Sequence, residues 1–200
     1  MIAIIDYGAG NIFSVKNALD YLGVENKLTA DRNEICAADE IILPGVGAFP
    51  WAMKMLCDSG LVDTIREEAK KKPFLGICLG MQLIFDKGYE FEETDGLRLI
   101  GGKVEKIDRK DMIIPHMGWN ELEINRDCPI LKGLPEHPYV YFVHSYAAVC
   151  DDANVSAYCD YGGKITALVH DGAYVYGAQF HPEKSGEVGL QMLRNFAELA

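Results

Sequence analysis

The chain has 200 residues, 49% of them hydrophobic, and its 19 basic and 30 acidic side chains give a formal net charge of −11. That is enough apolar material for one sizeable core, expected as a single domain over 1–200, and the acidic balance argues against a nucleic acid or an anionic membrane as partner. Cys36, Cys57, Cys78, Cys128, Cys150 and Cys159 form no CxxC pair and no zinc-like spacing with histidine, which predicts free thiols and no metal site.

The first apolar run, 1–5, is cut off by Asp6, lacks the basic region of a signal peptide and is too short to span a membrane, and 2–6 reads as a strand. A buried first strand in a cytoplasmic protein is the expectation. Tyr7-Gly8-Ala9-Gly10-Asn11 reads as a tight loop; it lacks the third glycine of a dinucleotide fingerprint and the lysine of a P-loop, so a plain turn is favoured over a phosphate cradle. Ile12, Val15, Leu19 and Leu22 then fall at helical spacing, with Gly23 in the position that tolerates a left-handed cap. Strands are expected at 24–29 and 40–43. The second runs into Pro44-Gly45-Val46-Gly47, where two glycines spaced by one residue can turn N–H groups outward as an anion or oxyanion cradle, or simply make a structural turn. Pro50 suits the first turn of a helix, and Leu61, Ile65 and Ala69 mark one face of another that Pro73 ends.

The run 74–77 reads as a buried strand, broken at Gly76-Ile77-Cys78-Leu79-Gly80 before a helix over 81–85. Glycines two before and two after an apex residue are the pattern of a nucleophile elbow, and a helix start at the apex favours thiolate. The competing reading of Cys78 is a small buried hydrophobe between two packing glycines. Up to residue 86, strands alternate with helices, which predicts a parallel sheet covered on both faces. Beyond it, short strands at 103–107, 122–124, 140–144, 146–150, 153–159 and 164–169 read as hairpins and meanders, antiparallel additions to the same domain, with a hairpin turn at Gly162-Gly163. A last strand at 173–180 leads into His181-Pro182-Glu183, and Leu190, Leu193, Phe196 and Ala197 give one face of a closing helix.

A thiol at an elbow needs a base. Of the five histidines, His181 ends an apolar strand and has Glu183 two residues on; with Pro182 holding the backbone extended, both side chains would face one side, and the carboxylate would orient the ring. His116 and His144 have no adjacent carboxylate and suit structural or binding roles. The residues alone therefore point to thioester acyl transfer on an unspecified substrate.

Gly76-Ile77-Cys78-Leu79-Gly80-Met81-Gln82, with Gln179-Phe180-His181-Pro182-Glu183, resembles the class I glutamine amidotransferases, in which a Cys-His-Glu triad hydrolyses glutamine to glutamate and ammonia. Asp6-Tyr7-Gly8-Ala9-Gly10-Asn11, Pro44-Gly45-Val46-Gly47-Ala48-Phe49, Pro115-His116-Met117-Gly118-Trp119-Asn120 and Tyr141-Phe142-Val143-His144-Ser145-Tyr146 are similar, within that family, to the glutaminase subunits of imidazole glycerol phosphate synthases of histidine biosynthesis. The resemblance implies a flavodoxin-like three-layer α/β fold: a mostly parallel central sheet, helices on both faces, and antiparallel additions in the C-terminal half. It implies Cys78 as nucleophile, His181 as base and acid, and Glu183 as its orienter. Leu79 and the Gly45-Val46-Gly47 strand would stabilise the oxyanion, the strand after reorienting; Gln82, His144, Ser145 and Tyr146 would hold L-glutamine. Asn11, Trp119, Tyr141 and Lys184 would face a (β/α)8 cyclase partner, and no cofactor is implied. Ala147 stands where a second aromatic often follows His-Ser-Tyr, and Gly101-Gly102 where a proline-glycine pair is common; neither departure touches the triad.

Overall fold

The structure is a computed structural model and describes residues 1–110 and 112–200. Its centre is an eight-stranded sheet. In chain order the elements are β1 (Ile2–Ile5), α1 (Ile12–Tyr21), β2 (Asn26–Thr29), α2 (Arg32–Ala37), β3 (Glu40–Gly45), α3 (Phe49–Asp58), α4 (Val62–Glu68), β4 (Phe74–Cys78) and α5 (Leu79–Leu83). There follow β5 (Lys87–Gly88), β6 (Thr94–Asp95), β7 (Gly102–Lys106), β8 (His116–Glu121), β9 (Glu123–Ile124), β10 (Tyr139–His144), β11 (Tyr146–Cys150), β12 (Val155–Asp160), β13 (Lys164–His170), β14 (Val175–Ala178) and α6 (Gly186–Ala197). The order across the large sheet is β2-β1-β3-β4-β14-β13-β12-β9. Its first five strands are parallel, in a flavodoxin-like order, and the last three join antiparallel.

Strand alternation divides the core in two. Ile2, Ile4, Ile42, Leu75, Ile77, Tyr176 and Ala178 face α1 and α6 through Val15, Leu19, Met192, Leu193 and Phe196. Ile5, Ile41, Leu43, Phe74 and Val175 face the opposite side, where Ile35, Phe49, Met53, Leu56 and Ile65 of α2, α3 and α4 cover them. Strands buried on both faces must be apolar throughout, which is why β1, β3 and β4 read as continuous hydrophobic runs.

Antiparallel pairing in the C-terminal half is as expected, and the Gly162-Gly163 turn joins β12 to β13 with both glycines at positive φ. Only β9, β12 and β13 extend the main sheet, however. β8 and β10 form a separate two-stranded ribbon, and β11-β7-β5-β6 a separate four-stranded sheet in which β5 and β7 run parallel. On α6 the buried face is centred on Gly189, Met192, Leu193 and Phe196, with Leu190 and Ala197 at its margin. Gly189 leads that face because a Cβ there would lie 1.9 Å from the Pro182 carbonyl oxygen. All six cysteines are free, and among the described residues no helix is long and apolar enough to cross a membrane.

Glu40, at the N-terminal end of β3, is buried with one carboxylate oxygen unpartnered. Burial raises its pKa from 4.5 to about 7; the chain's amino terminus opposes that shift and Asp39 adds to it. Between those two values the folded chain keeps a proton that the unfolded chain has released, so stability falls as pH rises through the window and stays lost above it. Glu40→Gln should therefore raise the Tm at pH 8 by several degrees, at about 2–4 °C per kcal/mol for this size. Thermal melts at pH 8 and pH 4 check this, with the advantage gone at pH 4.

Candidate active site

Three adjacent strands, β3, β4 and β14, deliver their C-terminal ends to one place. Gly45 ends β3 directly opposite Cys78 at the end of β4, and the chain leaving β14 at Ala178 runs through Gln179 to His181. Cys78 has φ 55° and ψ −112°, outside the regions open to residues with a side chain. Its neighbours show why the chain reverses so sharply. A Cβ on Gly76 would sit 2.6 Å from the Gly80 carbonyl oxygen, and one on Gly80 only 1.8 Å from the Leu43 carbonyl oxygen. The turn is thus pressed against β3, and the two glycines are what permit it. α5 begins at Leu79 rather than 81, directly after the apex, and at five residues, the length expected, it carries only a small dipole. What remains is local: Leu79, as first helical residue, has an N–H without an intrahelical acceptor.

His181 is buried, and its Nδ1 lies 2.8 Å from Glu183 Oε1. The expected pairing is there, but not by the expected route. Pro182–Lys184 is a single 3-10 turn, not extended backbone, because proline at the first position of a helical turn gives up only an N–H that has no partner there. Burial works against the imidazolium, yet Cys78 and Glu183 outweigh it and lift the His181 pKa to about 9. Both neighbours thus favour the imidazolium over the neutral ring.

Cys78 and His181 share a cavity of about 360 Å³ with Val46, Gly47, Leu79, Gln82, Glu90, Pro115, Val143, His144, Ser145 and Tyr146. Gly45 is not on its wall; it lies behind, in β3, where a Cβ would be 2.7 Å from the Gly80 nitrogen. Val46 and Gly47 follow as exposed backbone, Gly47 at φ +99°, and neither N–H has a protein acceptor among the described residues. Gln82 donates from Nε2 to the Tyr146 carbonyl at 3.0 Å and to Gln179 Oε1 at 2.9 Å, which leaves its own oxygen unused by those bonds. Gln179 Nε2 in turn approaches Cys78 Sγ at 4.0 Å. Glu90 carries no signal in the sequence that marks it for this cavity, and Gln179, though part of the motif quoted above, has none that marks its contacts with Gln82 and Cys78. Glu90 accepts the Phe49 N–H at 2.8 Å and so caps α3 from 41 residues away, a contact with no local signal. Ala147 points away from the cavity, in β11 opposite Glu105, so that departure leaves the wall untouched. Gly102 opens β7 at φ +141°, with no room for a Cβ against the Val149 carbonyl oxygen at 2.7 Å. Among the described residues no group of three or more His, Cys, Asp or Glu is arranged to hold a metal ion.

The four residues expected at a partner face gather around the 181–185 turn. Tyr141 accepts the His181 N–H at 2.9 Å through its carbonyl and donates its own N–H to Ser185 Oγ at 3.0 Å. Trp119 lies opposite Tyr141 in the ribbon, rings 6.1 Å apart, and is 57% exposed. Lys184 is exposed on the turn, and Asn11 borders a small crevice with His181 and Glu183.

The model of the glutamine amidotransferase class-I family matches residues 3–199. The chain belongs to that family. It is 51% identical over 197 residues to the imidazole glycerol phosphate synthase subunit HisH of Bacillus cereus (strain G9842), covering 98% of this chain and 93% of the relative. It is 48% identical over 201 residues to the subunit of the same name from Listeria monocytogenes serotype 4a (strain HCC23), covering 100% of this chain and 96% of the relative. Among solved structures, one described as a glutamine amidotransferase superposes with a TM-score of 0.77 at 22% identity, covering 100% of this chain and 98% of that one. A chain of the PurLQS structure from Thermotoga maritima superposes with a TM-score of 0.75 at 20% identity, covering 98% of this chain and 96% of that one. At those identities the two structures speak for the fold alone, and it is the three-layer α/β fold expected.

Proposed function

We propose that this amidotransferase is the glutaminase subunit of an imidazole glycerol phosphate synthase, acting in the cytoplasm with residues 1–200 as one domain. The carrying observation is the strained elbow cysteine sharing a cavity of about 360 Å³ with a His181 that is paired to Glu183, in a chain 51% identical to a subunit of that name. Cys78 gives its thiol proton to the His181 ring, and its Sγ attacks the carboxamide carbon of L-glutamine. The C=O electron pair moves to oxygen, where the Leu79 N–H and an N–H of the Gly45–Gly47 segment stabilise it. His181 gives its proton to the leaving nitrogen, ammonia departs, and a thioester remains on Cys78. The ring then takes a proton from water, whose oxygen attacks the thioester to give glutamate and free the thiol. Glu183 holds the ring for both transfers. Gln82 Oε1 and the backbone at His144, Ser145 and Tyr146 hold the amino-acid end.

Ammonia passes to a (β/α)8 cyclase docked over Asn11, Trp119, Tyr141 and Lys184, which makes imidazole glycerol phosphate and an aminoimidazole carboxamide ribotide in histidine biosynthesis. In the free chain the second oxyanion donor awaits reorientation of Val46 and Gly47. Adding the cyclase and its nucleotide substrate should then raise the glutaminase rate about 10²- to 10³-fold, the worth of one oxyanion donor. A coupled glutamate assay with and without them decides it; a fast free chain indifferent to the cyclase would sink the assignment.

A further inference from the structure

His144, whose backbone lines the cavity, is paired with His116 behind it, and the reaction as described gives neither imidazole a task. His144 Nε2 is 3.0 Å from His116 Nδ1, and His144 Nδ1 is 2.8 Å from the Tyr146 carbonyl oxygen. At the other end His116 Nε2 faces Asn120 Nδ2 at 3.4 Å, and the same amide nitrogen donates to the Asp160 carbonyl at 2.8 Å.

The two ends fix every proton between them. The Tyr146 carbonyl can only accept, so His144 carries its proton on Nδ1 and offers a bare Nε2. The Asn120 amide nitrogen can only donate, so His116 Nε2 is bare and its proton lies on Nδ1, pointing at His144. A single neutral arrangement satisfies the whole chain, and a second proton on either ring would set two donors against each other. Burial holds both rings neutral in the same sense. His116 is clamped between Phe142 and Tyr161, with ring centroids at 4.7 and 4.0 Å.

The chain continues into the cavity. The Tyr146 carbonyl that takes the His144 proton also takes one from Gln82 Nε2, whose second proton goes to Gln179, the neighbour of Cys78 Sγ. We infer that His116, which lies off the cavity, is a positioning residue for glutamine binding: by donating to His144 it fixes the Tyr146 carbonyl and, through it, the Gln82 amide. The inference rests on the glutaminase reading given above for the kinetic part of its test, but not for the spectroscopic part.

Two replacements of similar size separate a donor from mere filling. His116→Asn places an amide N–H close to the position of Nδ1, whereas His116→Leu fills the space without donating. In complex with the cyclase, His116→Leu should raise KM for glutamine about 10-fold, the cost of one unsatisfied buried group, with kcat changed much less. His116→Asn should stay near the parent. Nitrogen-15 spectra of the histidine rings at neutral pH should show His144 protonated on Nδ1, with a hydrogen-bonded Nε2 in the parent and in His116→Asn, and an Nε2 without that bond in His116→Leu. Equal KM values for the Leu and Asn variants, or a parent His144 protonated on Nε2, would overturn the inference. A parent with correct ring spectra but no glutaminase activity would instead overturn the functional reading and leave the proton arrangement standing.

Discussion

Replacing Cys78 by alanine should reduce glutamine-dependent turnover of the complex at least about 10⁴-fold, because the thioester path loses its only nucleophile and nothing else in the cavity can form one. Ammonia-dependent turnover should survive. Ammonia added directly needs no glutaminase chemistry, only a docked and properly folded complex, and the groups proposed to dock lie on the ribbon, on the 181–185 turn and, for Asn11, at the start of α1, rather than on the elbow. The change also leaves the core almost intact, since Ala and Cys differ by one buried sulfur. Measuring both reactions on one preparation separates the roles. Loss of both activities would assign Cys78 to structure.

The second large effect is expected at Gly80, which carries no reactive group. Its added Cβ would fall 1.8 Å from the Leu43 carbonyl oxygen and 2.9 Å from its carbon. Those atoms belong to β3 at the centre of the sheet and cannot move aside as a side chain can. Gly80→Ala must then push α5 off β3, moving Cys78 on one side and the chain leading to Val46 on the other. A cost of about 3 kcal/mol or more is expected, a fall in Tm of roughly 6–12 °C, together with a rate loss on the order of 10²-fold from misplaced reacting groups. Gly101→Ala is the control: its Cβ would meet only the Asp86 Oδ2, at 3.9 Å. Melting curves and glutaminase rates of the two variants should differ accordingly. Near-parent behaviour of Gly80→Ala would mean that the elbow does not depend on its contact with β3.

The parts of this site that are legible in the sequence are those written in neighbouring residues. Gly-x-Cys-x-Gly after an apolar run spells the elbow because tight reversal has few chemical solutions, and the buried strands read clearly because both faces are covered. Glu183 follows from the right proximity and the wrong backbone, since a 3-10 turn and an extended segment both bring residues two apart within reach. α2 escapes a reading by period because only Ile35 of its six residues is buried. Its start is nevertheless visible: Asp31 accepts from the N–H groups of Asn33 and Glu34, and Asp-Arg-Asn-Glu is an N-terminal capping signal. β8 looks like a loop because its inward residue is a histidine and Gly118 interrupts it. The contacts of Gln179 and Glu90 and the pairing of His116 with His144 cannot be read locally, although Gln179 and both histidines stand in the motifs quoted above. Each acts on a residue between 28 and 101 positions away, so only the folded chain brings the partners together.

The β8–β10 ribbon carries two kinds of information on its two faces. His116, Phe142 and His144 point inward, while Met117, Trp119 and Tyr139 are exposed. Because strand side chains alternate, point substitutions on one face can vary without disturbing the other. A one-residue insertion or deletion within either strand has no such freedom: it would turn every following side chain over, carrying an indole toward the buried histidines and an imidazole toward solvent. The ribbon is therefore free to diverge by exchange of residues but not by change of length, and designs that retarget this protein to another partner should edit its outer positions and leave the strand lengths alone.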